Sequence, residues 1–202
     1  MMFEDEIPWP RKGGKLFKAD DDWWNNACLN PYSKDFYEYI TGYKRAGDIL
    51  VSFVKEYKSD QDTLVYPIVF LYRQYLELQL KAIIRDGNLL LNDHDGFDQI
   101  HEIDKLWRSC KIILIKVWPN SPVDDLNAVE EYILQFSNID QFSFAFRYPS
   151  DRDGNFSLSD ITYINLRNLA DRISEIGSLL EGANAGIFDY LETKQEMERG
   201  LL

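Results

Sequence analysis

The 202-residue chain is poor in the residues that bind metals or cross-link small domains. It has two cysteines, Cys28 and Cys110, and two histidines, His94 and His101. Two cysteines at unrelated positions indicate a reducing compartment rather than a disulfide scaffold. A zinc site built from cysteine and histidine would need all four side chains, and their spacing matches no common zinc pattern. We therefore predict a cytoplasmic protein with no metal site and no cofactor.

Positive charge and long apolar runs are also scarce. The chain has 22 lysines and arginines against 34 aspartates and glutamates, a net charge of −12. This balance argues against broad binding of duplex nucleic acid but permits a local basic patch. No apolar run reaches the roughly 18 residues of a membrane span. The acidic start, Met1-Met-Phe-Glu-Asp-Glu6, differs from a signal peptide, so we predict no membrane association.

Hydrophobic residues are plentiful and are distributed unevenly along the chain. They make up 45% of it, which is enough for one sizeable core. Residues 1–30 lack a regular period and contain Trp9, Trp23 and Trp24. We predict an extended N-terminal arm at 1–30 and a single domain at 31–202. The tryptophans would either pack onto that domain or anchor a partner protein, since aromatic residues are enriched at interfaces.

Most of the domain follows the helical period of 3.6 residues, which predicts a mainly α-helical bundle. Ser33 and Asp160 are suitable N-caps for the first and last helices. Gly87 is placed to end the second helix, and Gly182 and Gly186 are placed to break the last one. The predicted helices span 33–57, 63–85, 100–117 and 122–136, with a long helix after residue 160.

A different period begins near residue 142. Phe142, Phe144 and Phe146 alternate with smaller or polar residues, which is typical of a β-strand. Asp153-Gly154 is a turn dipeptide, and a short apolar stretch follows it. We therefore predict a small β-hairpin at about 142–158, inserted in the helical bundle.

Three charged residues interrupt the apolar second helix. Arg73, Glu77 and Lys81 are four residues apart, so they form one stripe along the helix. The stripe is either an ion-pair ladder or one wall of a ligand pocket. The pocket hypothesis adds His101, at the predicted start of the third helix, where the helix dipole favours an anion. It also adds Arg147, which strand alternation sets opposite the aromatic face. His101 is then either a helix-start residue or a catalytic base.

The segments Leu71-Tyr-Arg-Gln-Tyr-Leu-Glu-Leu-Gln-Leu-Lys81 and His101-Glu-Ile-Asp-Lys-Leu-Trp107 resemble the HEPN superfamily of small helical bundles. The order of helices would extend the resemblance over most of 31–182. The resemblance implies a bundle that commonly dimerises. It also implies roles in RNA cleavage, toxin–antitoxin pairs, phage defence or nucleotide binding.

The sequence departs from the ribonuclease members of that superfamily. Those members have an arginine, about four to six further residues and then a histidine on the last core helix. Here Arg85 precedes His94 with eight residues between them, and the C-terminal helix has no histidine. We therefore expect a non-catalytic binding module for RNA, a nucleotide or a protein partner, which forms a homodimer. The alternatives are a divergent, metal-independent ribonuclease that uses His101 with Arg73 or Arg147, and a purely structural homodimer.

Overall fold

The computed structural model describes residues 9–10, 12–29, 35–93 and 100–200. These residues form two compact units that divide between residues 34 and 35. In the first unit, Trp23–Asn25 form a short 3-10 helix. Asn26 supports this turn, because its side chain exchanges hydrogen bonds with the backbone of Asp20. The rest of the predicted arm at 1–30 stays a prediction.

The second unit is built from five α-helices, and no strand occurs among the described residues. Helix α2 is central and packs against α1, α3 and α5, while α4 packs against α3 and α5. Two apolar faces on the sequence of α2 explain this position, because each face is covered by different neighbours. The helices are α1 (Tyr37–Tyr57), α2 (Gln61–Leu90), α3 (Ile103–Val117), α4 (Val123–Ile139) and α5 (Leu166–Glu198).

The mainly α-helical class is therefore confirmed, and several predicted helix ends are corrected. Helix α2 continues through Gly87 to Leu90. Gly87 is buried, and a β-carbon there would lie 2.3 Å from Cγ2 of Ile113, so glycine allows α3 to approach α2 closely. The predicted cap Ser33 lies outside the described residues. His101 lies two residues before Ile103, the first residue of α3, instead of lying within the helix.

The last helix also differs from the prediction. Helix α5 begins after Asn165, whose side chain accepts a hydrogen bond from the backbone N–H of Asn168, so Asp160 is not its cap. The helix runs unbroken through Gly182 and Gly186. At Gly186 a β-carbon would lie 2.9 Å from the ring of Trp118, which shows that this glycine makes room for a neighbour.

The structure does not confirm the predicted β-hairpin at 142–158. The segment consists of turns, with one isolated antiparallel bridge between Ser150 and Phe156. The buried carboxylate of Asp140 accepts hydrogen bonds from the backbone N–H groups of Phe144 and Ala145, at 2.5 and 2.9 Å. This Asx-type capping curls the backbone before a strand can form, and it overrides the alternating pattern.

Candidate functional site

The charged stripe on α2 is an ion-pair network inside the protein. Glu77 receives Arg73 Nη1 at 3.1 Å on one oxygen and Lys81 Nζ at 2.8 Å on the other. The exposed fractions of Arg73, Glu77 and Lys81 are 0%, 1% and 7%. Removing three charges from water is costly unless they are paired and hydrogen-bonded, and the spacing of four residues provides that pairing.

The segment before α3 completes this network. Nδ1 of His101 lies 2.8 Å from Oε1 of Glu77, and Nη2 of Arg73 donates to the backbone oxygen of His101 at 2.5 Å. Glu77, 24 positions earlier in the chain, therefore holds the side chain of His101, and Arg73, 28 positions earlier, holds its backbone. We call the four residues Arg73, Glu77, Lys81 and His101 the α2 charge network.

Burial and charge pairing act in opposite directions within the α2 charge network. Burial lowers the pKa of Arg73, while the nearby carboxylates of Glu77, Asp140 and Asp104 oppose that shift. Burial alone would raise the pKa of Glu77. Hydrogen bonds from Lys81 and His101 and the charge of Arg73 outweigh burial, so the pKa of Glu77 is held below its usual range. Glu77 is therefore an ionised carboxylate at neutral pH.

The imidazole of His101 is the accessible end of the network. Its side chain is 66% exposed, whereas the carboxylate that it contacts is buried. An ionised carboxylate can only accept, so Nδ1 of His101 is the donor in this pair. The other ring nitrogen, Nε2, then accepts a proton when the ring is neutral and donates one when the ring is charged. This arrangement suits either proton transfer or hydrogen bonding to an anion.

Arg147 makes its contacts outside the network. Its Nε donates to the backbone oxygen of Ser143 at 2.6 Å. Its guanidinium lies 5.8 Å from the ring centre of Phe70 on α2 and 5.6 Å from that of Tyr148. The structure thus brings together four of the five predicted site residues, and it ties Arg147 to Phe70 instead.

A cleft apart from the α2 charge network was not predicted from the sequence. A cleft of about 780 Å³ opens between α1, α2 and α5. Tyr75 and Gln79 of α2 and Glu181 of α5 line it, and Tyr75 donates a hydrogen bond to Glu181 at 2.8 Å. This pairing joins residues 106 positions apart, and no local sequence signal indicates it.

The described part of the chain offers no group of three or more His, Cys, Asp or Glu residues that could hold a metal ion. Cys110 is buried in the core, where burial raises the pKa of its thiol, and Cys28 is exposed. Over the same residues, none of the helices combines the length and the apolar character needed to cross a bilayer.

Comparisons with known proteins give no relative from which a function could be transferred. No family model, no curated protein and no solved structure matches this chain.

Proposed function

We propose that this chain is a HEPN-like helical domain that binds a phosphate-bearing ligand, an RNA strand or a nucleotide, without cleaving it. The observation that carries the proposal is the hydrogen bond between buried Glu77 and exposed His101. A histidine held at Nδ1 presents Nε2 in a fixed direction, and the charged ring can donate Nε2–H to a phosphate oxygen. The ligand would contact His101 directly. Arg73, Glu77 and Lys81 would hold the imidazole of His101 in its orientation.

Non-catalytic binding is the favoured form of this proposal because the cations beside His101 are already paired with Glu77. Arg73 and Lys81 are buried against Glu77. A ribonuclease needs a cation that can stabilise the charged phosphorane in addition to its general base. The arginine–histidine spacing of ribonuclease members of the resembled superfamily is also missing.

Fluorescence anisotropy with a labelled single-stranded RNA and with a labelled nucleotide tests this binding. We expect saturable binding that weakens with salt, as contacts to phosphate do. His101→Ala should weaken binding by about tenfold or more, because a hydrogen bond to a charged group contributes about 1.5–3 kcal/mol. Lys116→Ala is the matched control, because it removes a positive charge from the opposite end of α3. Equal losses for both variants, or no binding to either probe, would contradict the proposal.

A divergent ribonuclease is the second candidate, and the same Glu77–His101 pair favours it. With Nδ1 donating to Glu77, neutral His101 has a free lone pair on Nε2 that could remove a proton from a ribose 2′-hydroxyl. Cleavage of total RNA that survives EDTA and falls about 100-fold in His101→Ala would promote this candidate over binding. We expect no cleavage.

We also propose that two copies of the chain pair through α1. Tyr39, Ile49, Phe53 and Tyr57 are exposed on this helix, and the rings of Phe53 and Tyr57 pack 4.7 Å apart. Aromatic clusters of this kind are typical of protein interfaces. Light scattering at micromolar concentration should give twice the chain mass of 23.7 kDa, and Phe53→Asp should restore the single mass. A wild-type mass of one chain would reject the homodimer.

A cytoplasmic location, and a protein partner in a toxin–antitoxin or phage-defence system, remain expectations from the sequence.

A further inference from the structure

The cleft between α1, α2 and α5 has the size of a small-molecule site and lies apart from the α2 charge network. Its volume of about 780 Å³ falls within the range of about 300–1,000 Å³ that is usual for ligand pockets. Its lining combines polar groups with the apolar side chains of Ile40, Ala82 and Phe188. A ligand that fits it should therefore have both a polar and an apolar part.

Two tyrosines of α2 fix the walls of this cleft. Tyr72 packs over Gly47 of α1 and donates to Asp48 at 2.8 Å. Tyr75 packs over Gly177 of α5 and donates to Glu181 at 2.8 Å. Burial, followed by the hydrogen bond to Glu181, raises the pKa of Tyr75, so its hydroxyl remains a donor. The carboxylates are consequently pre-positioned before any ligand arrives.

The charges of the lining are unevenly paired. Five carboxylates face three cations there. Lys44 pairs with Asp48 at 2.7 Å, and Arg85 pairs with Asp86 at 2.7 Å. By contrast, within the described ranges, Glu181 and Asp189 on the α5 wall form no ion pair. The α5 wall is thus the negative side of the cleft, and it favours a positively charged group.

Gln79 lines the cleft and has an unsatisfied polar atom in the protein interior. It is buried, at 2% exposed, and its carboxamide oxygen has no hydrogen-bond partner among the residues described. A buried acceptor without a partner costs free energy and is rare in folded proteins. An ammonium group carries three donors and no acceptor, which matches the α5 carboxylates.

We propose that the cleft binds a small organic cation, with its ammonium group against Glu181 and its apolar part against Phe188. Phe188 is half exposed and lines the same α5 wall as Glu181. The site selects a primary amine joined to a flat apolar group, and it discriminates against the same skeleton with a neutral or anionic end. It is separate from the phosphate-binding role of His101 and does not depend on it.

Isothermal titration calorimetry at low salt tests the site with three probes that share one ring. They are tyramine, the neutral 4-ethylphenol and the anionic 3-(4-hydroxyphenyl)propionate. We expect saturable tyramine binding, with an affinity at least about tenfold above that of 4-ethylphenol, which corresponds to about 1.4 kcal/mol. The anionic probe should not bind. Absence of saturable tyramine binding up to several millimolar, or equal affinity for the three probes, would overturn the proposal.

Two matched variants locate the binding in the cleft. Glu181→Gln removes the charge but keeps an acceptor for Tyr75, so the fold should be preserved and tyramine affinity should fall at least about fivefold. Glu192→Gln makes the same change at an exposed position of α5 that does not line the cleft, and it should leave the affinity unchanged. Thermal melts confirm that both variants are folded. Identical tyramine affinity in Glu181→Gln and the wild type would place any binding elsewhere and overturn the proposal.

Discussion

Two glutamate–lysine pairs of this protein have similar spacing and differ in burial. Glu77 and Lys81 on α2 are 2.8 Å apart, with side chains 1% and 9% exposed. Glu102 and Lys105 at the start of α3 are 2.5 Å apart, with side chains 18% and 51% exposed. A surface pair is solvated and contributes little to stability, whereas a buried pair cannot lose one partner without leaving an unpaired charge.

The buried pair differs from the surface pair in holding a third side chain. Glu77 also contacts Nδ1 of His101, so the buried charges orient a side chain that is itself exposed. The Glu102–Lys105 pair holds no third side chain among the described residues. The rigid support of α2 therefore distinguishes His101 from an ordinary surface histidine.

The largest expected effect is on the free energy of unfolding of Glu77→Ala. Removing Glu77 leaves the guanidinium of Arg73 and the ammonium of Lys81 buried without their partner, which should cost about 3 kcal/mol or more. Glu102→Ala should cost about 0.5 kcal/mol or less. Urea denaturation of both variants measures the difference. Equal midpoints would mean that the α2 charge network behaves as a solvated stripe.

A second contrast concerns two glycines inside long helices. Gly87→Ala would push a methyl group to 2.3 Å from Cγ2 of Ile113, and overpacking of this kind costs about 1–3 kcal/mol. A β-carbon added at Gly182 would meet no atom within 4 Å, so Gly182→Ala should stabilise α5 by about 0.5–1 kcal/mol. Calorimetric melting temperatures should move in opposite directions. A lower melting temperature for Gly182→Ala would contradict the continuous α5.

A third contrast separates the observed cap of α5 from the predicted one. Asn165→Ala removes the acceptor for the N–H of Asn168 and should cost about 1 kcal/mol. Asp160→Ala should change stability by less than about 0.5 kcal/mol, because Asp160 lies outside the helix. The same urea titration distinguishes them, and the reverse order would restore Asp160 as the cap.

The smallest expected effect is a pH dependence that Glu77 contributes. Its pKa is lowered in the folded protein, so the unfolded chain binds the proton first as the pH falls. This contribution should be fully present above the ordinary glutamate pKa of about 4.3 and should be lost as the pH falls through the lower folded-state value. Burial raises the pKa of Glu77, whereas its charged partners lower it. The two effects partly cancel, so we expect a small pH dependence. Comparing the pH profile of Glu77→Gln with that of the wild type isolates it, and parallel profiles would contradict it.

The helices were predictable from the sequence because their apolar periods are local and strong. Trp107 and Cys110 are buried, as the period of the third helix indicates. The ends were less predictable. Whether a glycine ends a helix depends on which residues pack against it. Gly87 lies against Ile113 of α3, and the sequence of α2 alone does not indicate this contact.

The part of the candidate site that could be predicted is the one where charged residues interrupt an apolar helix. Arg73, Glu77 and Lys81 stand out because charges are rare on an apolar helix. Arg147 was assigned through an alternating pattern that the capping by Asp140 overrides. The cleft depends on Tyr75 meeting Glu181 across the bundle, and such long-range pairings leave no trace in local spacing.

The most direct test of the central claim is the tautomer of His101, observed by long-range ¹H–¹⁵N NMR of the imidazole rings. The chain has only two histidines, so the His101→Ala spectrum assigns the signals. We predict that neutral His101 carries its proton on Nδ1 in the wild type, and that Glu77→Ala, which removes the acceptor for Nδ1–H, loses this preference. A neutral wild-type ring with its proton on Nε2 would contradict the claim that Glu77 orients His101.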